Sequence, residues 1–266
     1  MKDTVIPVVF EPLRLGPPGN LFIAVFGRPG TGKTRLIGTA PGLGVIPLQR
    51  KTLPTIEQVK RELYPHRTIL WPKNPDELYK YANPMTMALM EREESKKFHR
   101  ELVDKIKASA WALLARPEVK TIGIDDGTTL YNMMACAYYG KSSRFSADAA
   151  SAKKAYGPIN DEFQEFLVSL ESKNVVMSFQ GGEAYVKDVA QGFDEPKGYK
   201  QIGFHANALV ETRFDIADGF WIDVRMCQDR AALQGEQGQR LLLGDLCEFK
   251  YLAQQLRPDS ASEDWE

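Results

Sequence analysis

The stretch Gly27-Arg28-Pro29-Gly30-Thr31-Gly32-Lys33-Thr34, GRPGTGKT, directly follows the apolar run LFIAVF at 21–26. A run of this length without a polar residue fits a strand buried on both faces. The eight residues after it match G-x-x-x-x-G-K-[ST] and stand where that pattern has chemical meaning, between a strand and a helix that opens near Lys33. Glycines let backbone N–H groups turn inward around phosphate oxygens, and the start of the helix adds a favourable dipole. Lys33 can bridge the β- and γ-phosphates, while the Thr34 hydroxyl suits Mg²⁺. Contacts to ATP are therefore expected from Gly27, Arg28, Pro29, Gly30, Thr31, Gly32, Lys33, Thr34 and Arg35, with Mg²⁺ beside them.

A magnesium nucleotide needs a second anchor, and TIGIDDGTTLY at 121–131 offers one. Its β-branched and apolar residues read as a strand, and Asp125-Asp126-Gly127 as the turn that ends it. Proteins with this phosphate loop hold Mg²⁺ with the loop Ser/Thr and a carboxylate at the end of a neighbouring strand. Thr34 and Asp125 are the residues so placed. Asp126 keeps two readings: a base for the attacking water, or a turn residue and helix N-cap ahead of GTTLYNMM.

The chain has 266 residues, 43% of them hydrophobic and 26% charged, with a formal net charge of −1. These are globular values that permit a sizeable core, and near-neutrality excludes a generally basic nucleic-acid binder. Cys136, Cys227 and Cys247 fit neither a disulfide framework nor a zinc cluster, and His66, His99 and His205 lack metal spacing. No segment reads as a secretion signal or membrane span, so a cytoplasmic protein without a membrane partner is expected, in the host cell if the chain is phage-encoded. Strands are expected at 43–48, 67–71, 119–125, 175–179, 208–216 and 220–226. Helices are expected at 54–63, from the Asn-Pro boundary at 74–75, within 85–116, and at 128–139 and 159–171. The segments 140–158 and 181–203 read as connections. The alternation, closing on adjacent strands, predicts an α/β domain with a mainly parallel sheet flanked by helices and antiparallel strands at the C-terminal edge. One domain over 1–256 is expected, with an N-terminal extension at 1–19 and an acidic, disordered tail at 257–266.

With both motifs placed, the chain resembles the RecA-like P-loop ATPases. Within them it is similar to the phage nucleotide-binding proteins related to Sak-four-type single-strand annealing recombinases. Beyond GRPGTGKT and TIGIDDGTTLY, the resemblance rests on YGPINDEFQEFLVSL, VVMSFQGGEAYV and KGYKQIGFHANALVETRFDI, and runs over about 20–230. It implies that Gln180 senses the γ-phosphate and relays nucleotide state to the segment after it. That segment carries Tyr185, Lys187, Phe193, Lys197, Tyr199 and Lys200, a mixture suited to phosphate contact and base stacking on single-stranded DNA. The connection with Lys141, Arg144, Lys153 and Lys154 occupies the place of a first DNA loop. Arg230 occupies the place of an arginine finger reaching a neighbour's nucleotide in a ring or filament.

Two departures matter. After the second strand, where such enzymes place a water-activating acid, this chain has Gln49, Arg50 and Lys51, which turns attention to Asp126 or Glu183 as base. Gln228 replaces the lysine that would accompany Arg230. The expected activity is Mg-dependent ATP hydrolysis coupled to single-stranded DNA in phage recombination or replication, by annealing or strand exchange, with single-strand-binding or other replication proteins as further partners. A DNA-packaging or remodelling motor, and an ATP-dependent assembly module that does not hydrolyse, are the alternatives.

Overall fold

The computed structural model describes residues 19–79, 90–140, 149–186, 189–217, 219–227, 240–241, 248–257 and 260–265. Its centre is a sheet in the order β2 (Leu43–Pro47), β3 (Thr121–Asp125), β4 (Asn174–Val186), β1 (Phe22–Gly27), β6 (Ala208–Asp215), β7 (Gly219–Cys227) and β8 (Arg240–Leu241). The pairs from β2 through β6 are parallel, and β6–β7 and β7–β8 are antiparallel. The expected α/β architecture, with a mainly parallel sheet and an antiparallel C-terminal edge, is the architecture found.

LFIAVF lacks alternation because both faces of β1 are covered. Phe22, Ala24 and Phe26 pack into one core, and Ile23 and Val25 into another. The first core receives α4 (Arg92–Leu114), α5 (Gly127–Tyr139) and α6 (Ala149–Ser169) through Val103, Ile106, Leu130 and Phe163. The second receives α1 (Lys33–Gly38), α2 (Thr52–Leu63) and α8 (Phe249–Leu256) through Leu36, Ile56 and Leu252. Burying each such side chain contributes about 1.5–3 kcal/mol. Two short helices complete the set, α3 (Asp76–Tyr79) and α7 (Ile202–His205).

Four expectations change. The strand at 67–71 reduces to a single bridge between Leu70 and Gly44, because only Leu70 exchanges hydrogen bonds with β2. The connection at 140–158 is partly helix, since α6 begins at Ala149 and runs through Pro158. The segment after Gln180 is a hairpin: β4 continues past the sheet to Val186 and β5 (Val189–Pro196) pairs back antiparallel. Within the acidic end, where a disordered tail was expected, Trp265 is 3% exposed against Phe249 and donates its indole N–H to Ser260 Oγ at 2.7 Å.

Candidate functional site

The C-terminal ends of β1 and β3 meet Ser178 and Gln180 from within β4, beside Gln49, two residues past β2. β1 leads into the glycine-rich turn, where Gly30 and Gly32 take φ of 84° and 92°, a region costly for other residues. Arg28, Pro29 and Gly30 are exposed at the tip, and nothing lies within 4 Å of where a Gly30 side chain would start. Lys33 folds back so that Nζ donates to the carbonyls of Gly27 and Arg28, both at 2.8 Å. Burial pushes this ammonium below the ordinary lysine value, with Asp125 and Asp126 opposing the shift.

Asp125 ends β3 and is 3% exposed. Its Oδ2 accepts from Thr34 Oγ1 at 2.8 Å and Thr52 Oγ1 at 2.7 Å, and its Oδ1 from Ser178 Oγ. Thr34 and Asp125 are therefore in direct contact although their strands are not neighbours: β4 lies between β1 and β3. The intervening strand supplies Ser178 to the carboxylate. Thr52 and Ser178 carried no local signal, because their hydroxyls come 73 and 53 residues distant in sequence. This pair of hard oxygen donors fits Mg²⁺, which is commonly held by one or two protein oxygens together with substrate phosphates and water. The described residues contain no cluster of three or more His, Cys, Asp or Glu that could hold a metal without such help.

Asp126 is fully buried, and it is the N-cap of α5: Oδ1 accepts from Thr129 N–H at 2.5 Å. Its Oδ2 accepts from two amides, Gln180 Nε2 at 3.1 Å and Gln49 Nε2. Burial and the adjacent Asp125 push its carboxyl up, against the hydrogen bonds from Thr129 and Gln180. Gln49 and Gln180 are both partly exposed. The amides thus form the accessible layer, and the carboxylate lies beneath them. Gln180 also pairs in register with Gly27, its N–H meets Thr128 Oγ1 at 3.0 Å, and its carbonyl accepts from Lys197 N–H at 2.8 Å. The β4–β5 hairpin is thereby attached directly to the sheet end.

The hairpin has a second attachment to the glycine-rich turn. Arg28 grips Asp194 with Nε at 2.8 Å and Nη2 at 3.1 Å, and Gly181 lies so close that a side chain there would meet the Gly27 backbone at 2.8 Å. Next to these contacts is a cleft of ≈ 350 Å³ whose lining includes Thr31, Glu183, Phe193, Arg213 and Phe214. Its arginines are partnered: Arg28 is held by Asp194, and Arg213 reaches Glu211 at 2.9 Å and Asp223 at 3.2 Å. Thr31 is tied to this side by its hydroxyl, 2.9 Å from that of Thr212.

Other expected site residues fall elsewhere. Arg35 points away from the turn toward Glu62 of α2, at 3.4 Å. Tyr199, expected as an exposed stacking ring, is 1% exposed: its ring packs with Phe163 and Tyr131, and its hydroxyl lies 2.9 Å from His205 Nε2. An apolar ring so enclosed has no face left for a base. Lys197 is exposed and its side chain crosses Gly182, and Lys200 pairs with Glu195 at 3.2 Å. Glu183 is exposed and lines the cleft. Lys141, Arg144, Lys187, Gln228 and Arg230 lie outside the described residues, as do the side chains of Lys153, Lys154 and Tyr185. No helix among the described residues is long and apolar enough to cross a membrane. Among known proteins, no family model matches the chain, and no curated protein matches it.

Proposed function

We propose that the chain is a RecA-like P-loop ATPase that binds ATP with Mg²⁺ and acts on single-stranded DNA in phage recombination or replication. The observation that carries the reading is the 2.8 Å hydrogen bond from Thr34 to Asp125, which joins the glycine-rich turn after β1 to the carboxylate ending β3, two strands away. A chance glycine turn has no reason to meet a buried, triply hydrogen-bonded aspartate. The partly desolvated Lys33 beside it adds support, since its donors now satisfy loop carbonyls and are free to exchange them for phosphate oxygens.

Bound Mg²⁺ would draw charge from the phosphates as the terminal P–O bond breaks. Thr34 would contact it, Asp125 would hold Thr34 in place, and Lys33 would bridge the β- and γ-phosphates. The DNA part rests on the resemblance and on the exposed Phe193, Lys197 and Lys200 at the hairpin and the turn after it. Arg230 keeps its proposed role toward a neighbouring subunit's nucleotide. A second reading, an ATP-dependent assembly module with little turnover, is favoured by Gln49, an amide two residues past β2 where an acid would serve as base.

ATPase assays with and without single-stranded DNA separate these. The ATPase reading expects turnover that rises several-fold with DNA and disappears in Lys33→Ala. Tight ATP binding with no turnover in either condition would leave only the assembly module.

A further inference from the structure

One face of the β6–β7 pair lies in the second core through Val210, Ile222 and Val224. Side chains alternate along a strand, so Glu211, Arg213 and Asp223 stand on the other face, where Arg225 joins them by its contact with Glu211. The first core takes only Leu209 from β6 and nothing from β7 among the described residues, so its helices leave this face to charged groups. We propose that this face and the cleft beside it form a binding track for single-stranded DNA, in which arginines hold phosphates while Phe193 and Phe214 hold a base. It rests on the DNA part of the reading above, and places the contact on the β6–β7 hairpin and the glycine-rich turn, where the resemblance assigns none.

The charges on this face are sorted by depth. The Arg28 side chain is 71% exposed and that of its partner Asp194 is 8%. Arg213 and Arg225 are 37% and 30% exposed, against 4% for the Glu211 side chain that both grip. Asp223, the second partner of Arg213, is buried as well. The carboxylates therefore lie inside and the guanidinium groups outside. Arg28 spends Nε and Nη2 on Asp194 at 2.8 and 3.1 Å, Arg213 spends the same two atoms on Glu211 at 2.9 and 3.0 Å, and Arg225 does so on Glu211 with Nε at 2.7 Å. A guanidinium has five N–H donors, so the Nη1 end of each remains for an outside acceptor. Asp194 and Glu211 thus act as positioning residues that hold three cations in fixed orientation, and the planar guanidinium suits phosphate oxygens. A chain of net charge −1 can bind a polyanion in this way, because its anions here are turned inward.

The cleft of ≈ 350 Å³ opens among these groups, and Arg28 and Arg213 share its lining with Phe193 and Phe214. The two rings come from different hairpins, and each is half exposed. Phe214 is backed by Phe220, with 4.7 Å between ring centroids, and Phe220 in turn lies against Gly32 of the glycine-rich turn. A volume at the small end for ligand sites suits one base rather than a longer ligand. Glu183, the exposed carboxylate of the lining, disfavours a phosphate inside, so the base enters and the backbone stays on the arginines. Stacking on aromatic rings tolerates any base, and the track is therefore indifferent to sequence.

Fluorescence anisotropy with a labelled oligothymidylate, and with an abasic deoxyribose-phosphate oligomer beside it, separates the two kinds of contact. Phe193→Ala and Phe214→Ala should each weaken oligothymidylate binding by about tenfold, the effect of losing one stacked base. Both should leave the affinity for the abasic oligomer and the salt dependence unchanged. Arg213→Gln and Arg225→Gln should each weaken both oligomers and lower the slope of log affinity against log salt concentration by about 0.7. Should these two variants lose their fold because Glu211 is left underpaired, Arg213→Lys and Arg225→Lys keep the charge without the planar fork, and should weaken binding while the slope stays. Wild-type affinity for oligothymidylate in either phenylalanine variant overturns the proposal, as does an unaltered slope in the glutamine variants or wild-type affinity in the lysine variants. Each of those results leaves DNA binding to the segments that the resemblance assigns. A wild-type chain that binds neither oligomer overturns the proposal together with the DNA part of the reading.

Discussion

Asp125 and Asp126 are adjacent, buried and each accept three hydrogen bonds, but from different groups. Asp125 gathers three hydroxyls, from Thr34, Thr52 and Ser178, and one of them belongs to the glycine-rich turn. Asp126 gathers one backbone N–H and two amides, and caps α5. Capping alone is worth about 1 kcal/mol, and a donor left without a partner costs about 1–3 kcal/mol when buried, less at these partly exposed amides. The penalty for burying the carboxylate offsets part of this. Asp126→Ala is therefore expected to destabilise by about 2 kcal/mol and lower Tm by roughly 5 °C in calorimetry. An unchanged Tm would mean that the cap and both amides contribute nothing to the fold. Of this pair, the sequence made Asp125 readable, because its partner Thr34 lies in a contiguous motif. For Asp126, both the N-cap reading and an interest in the missing acid at Gln49 were available. The contact that joins Gln49 to Asp126 was not, because it depends on the pairing of β2 with β3 across 77 residues.

At the scale of elements, α4 and α6 are joined by one acidic side chain. Glu162 is 8% exposed and accepts from Lys107 at 2.6 Å and Arg100 at 2.7 Å. Burial pushes its carboxyl up, but the hydrogen bonds from Lys107 and Arg100 overcome that effect and leave it below the ordinary glutamate value of 4.5. A carboxyl lowered by folding contributes stability that is fully present above its unfolded value and lost as pH falls through its folded value. Glu162→Gln should therefore cost about 1–3 kcal/mol at neutral pH in urea unfolding, and the difference from wild type should shrink as pH drops below about 4.5. A difference that stays constant with pH would assign the cost to packing alone. Elements were legible wherever local pattern and burial agreed, as in β1, α2 and α5. The β4–β5 hairpin was not: Gly181, Gly182 and Gly192 read as loop punctuation. In the fold, Gly181 serves close approach to the glycine-rich turn, and Gly192 takes a φ of 72° within β5.

Among the described residues the molecule is a sheet covered on both faces, with the candidate site at one end. That placement follows from topology, since parallel strands joined by crossovers bring their C-terminal ends to the same edge. It explains why residues as distant as Thr34, Gln49, Asp125 and Gln180 can share one site. The C-terminal residues join the same body through Trp265 and Phe249, where composition alone had suggested a solvated tail. What the sequence could not disclose was long-range: which hydroxyls turn toward Asp125, that Arg28 engages Asp194, and that Tyr199 faces the core. The central claim is that Thr34 and Asp125 together build a site for magnesium-bound ATP, and calorimetric titration of ATP into wild type and Asp125→Asn, with and without Mg²⁺, tests it most directly. Mg²⁺ is expected to tighten ATP binding to the wild type by at least about tenfold and to have no such effect on Asp125→Asn. Equal Mg²⁺ enhancement in both proteins, or no ATP binding to the wild type, would contradict it.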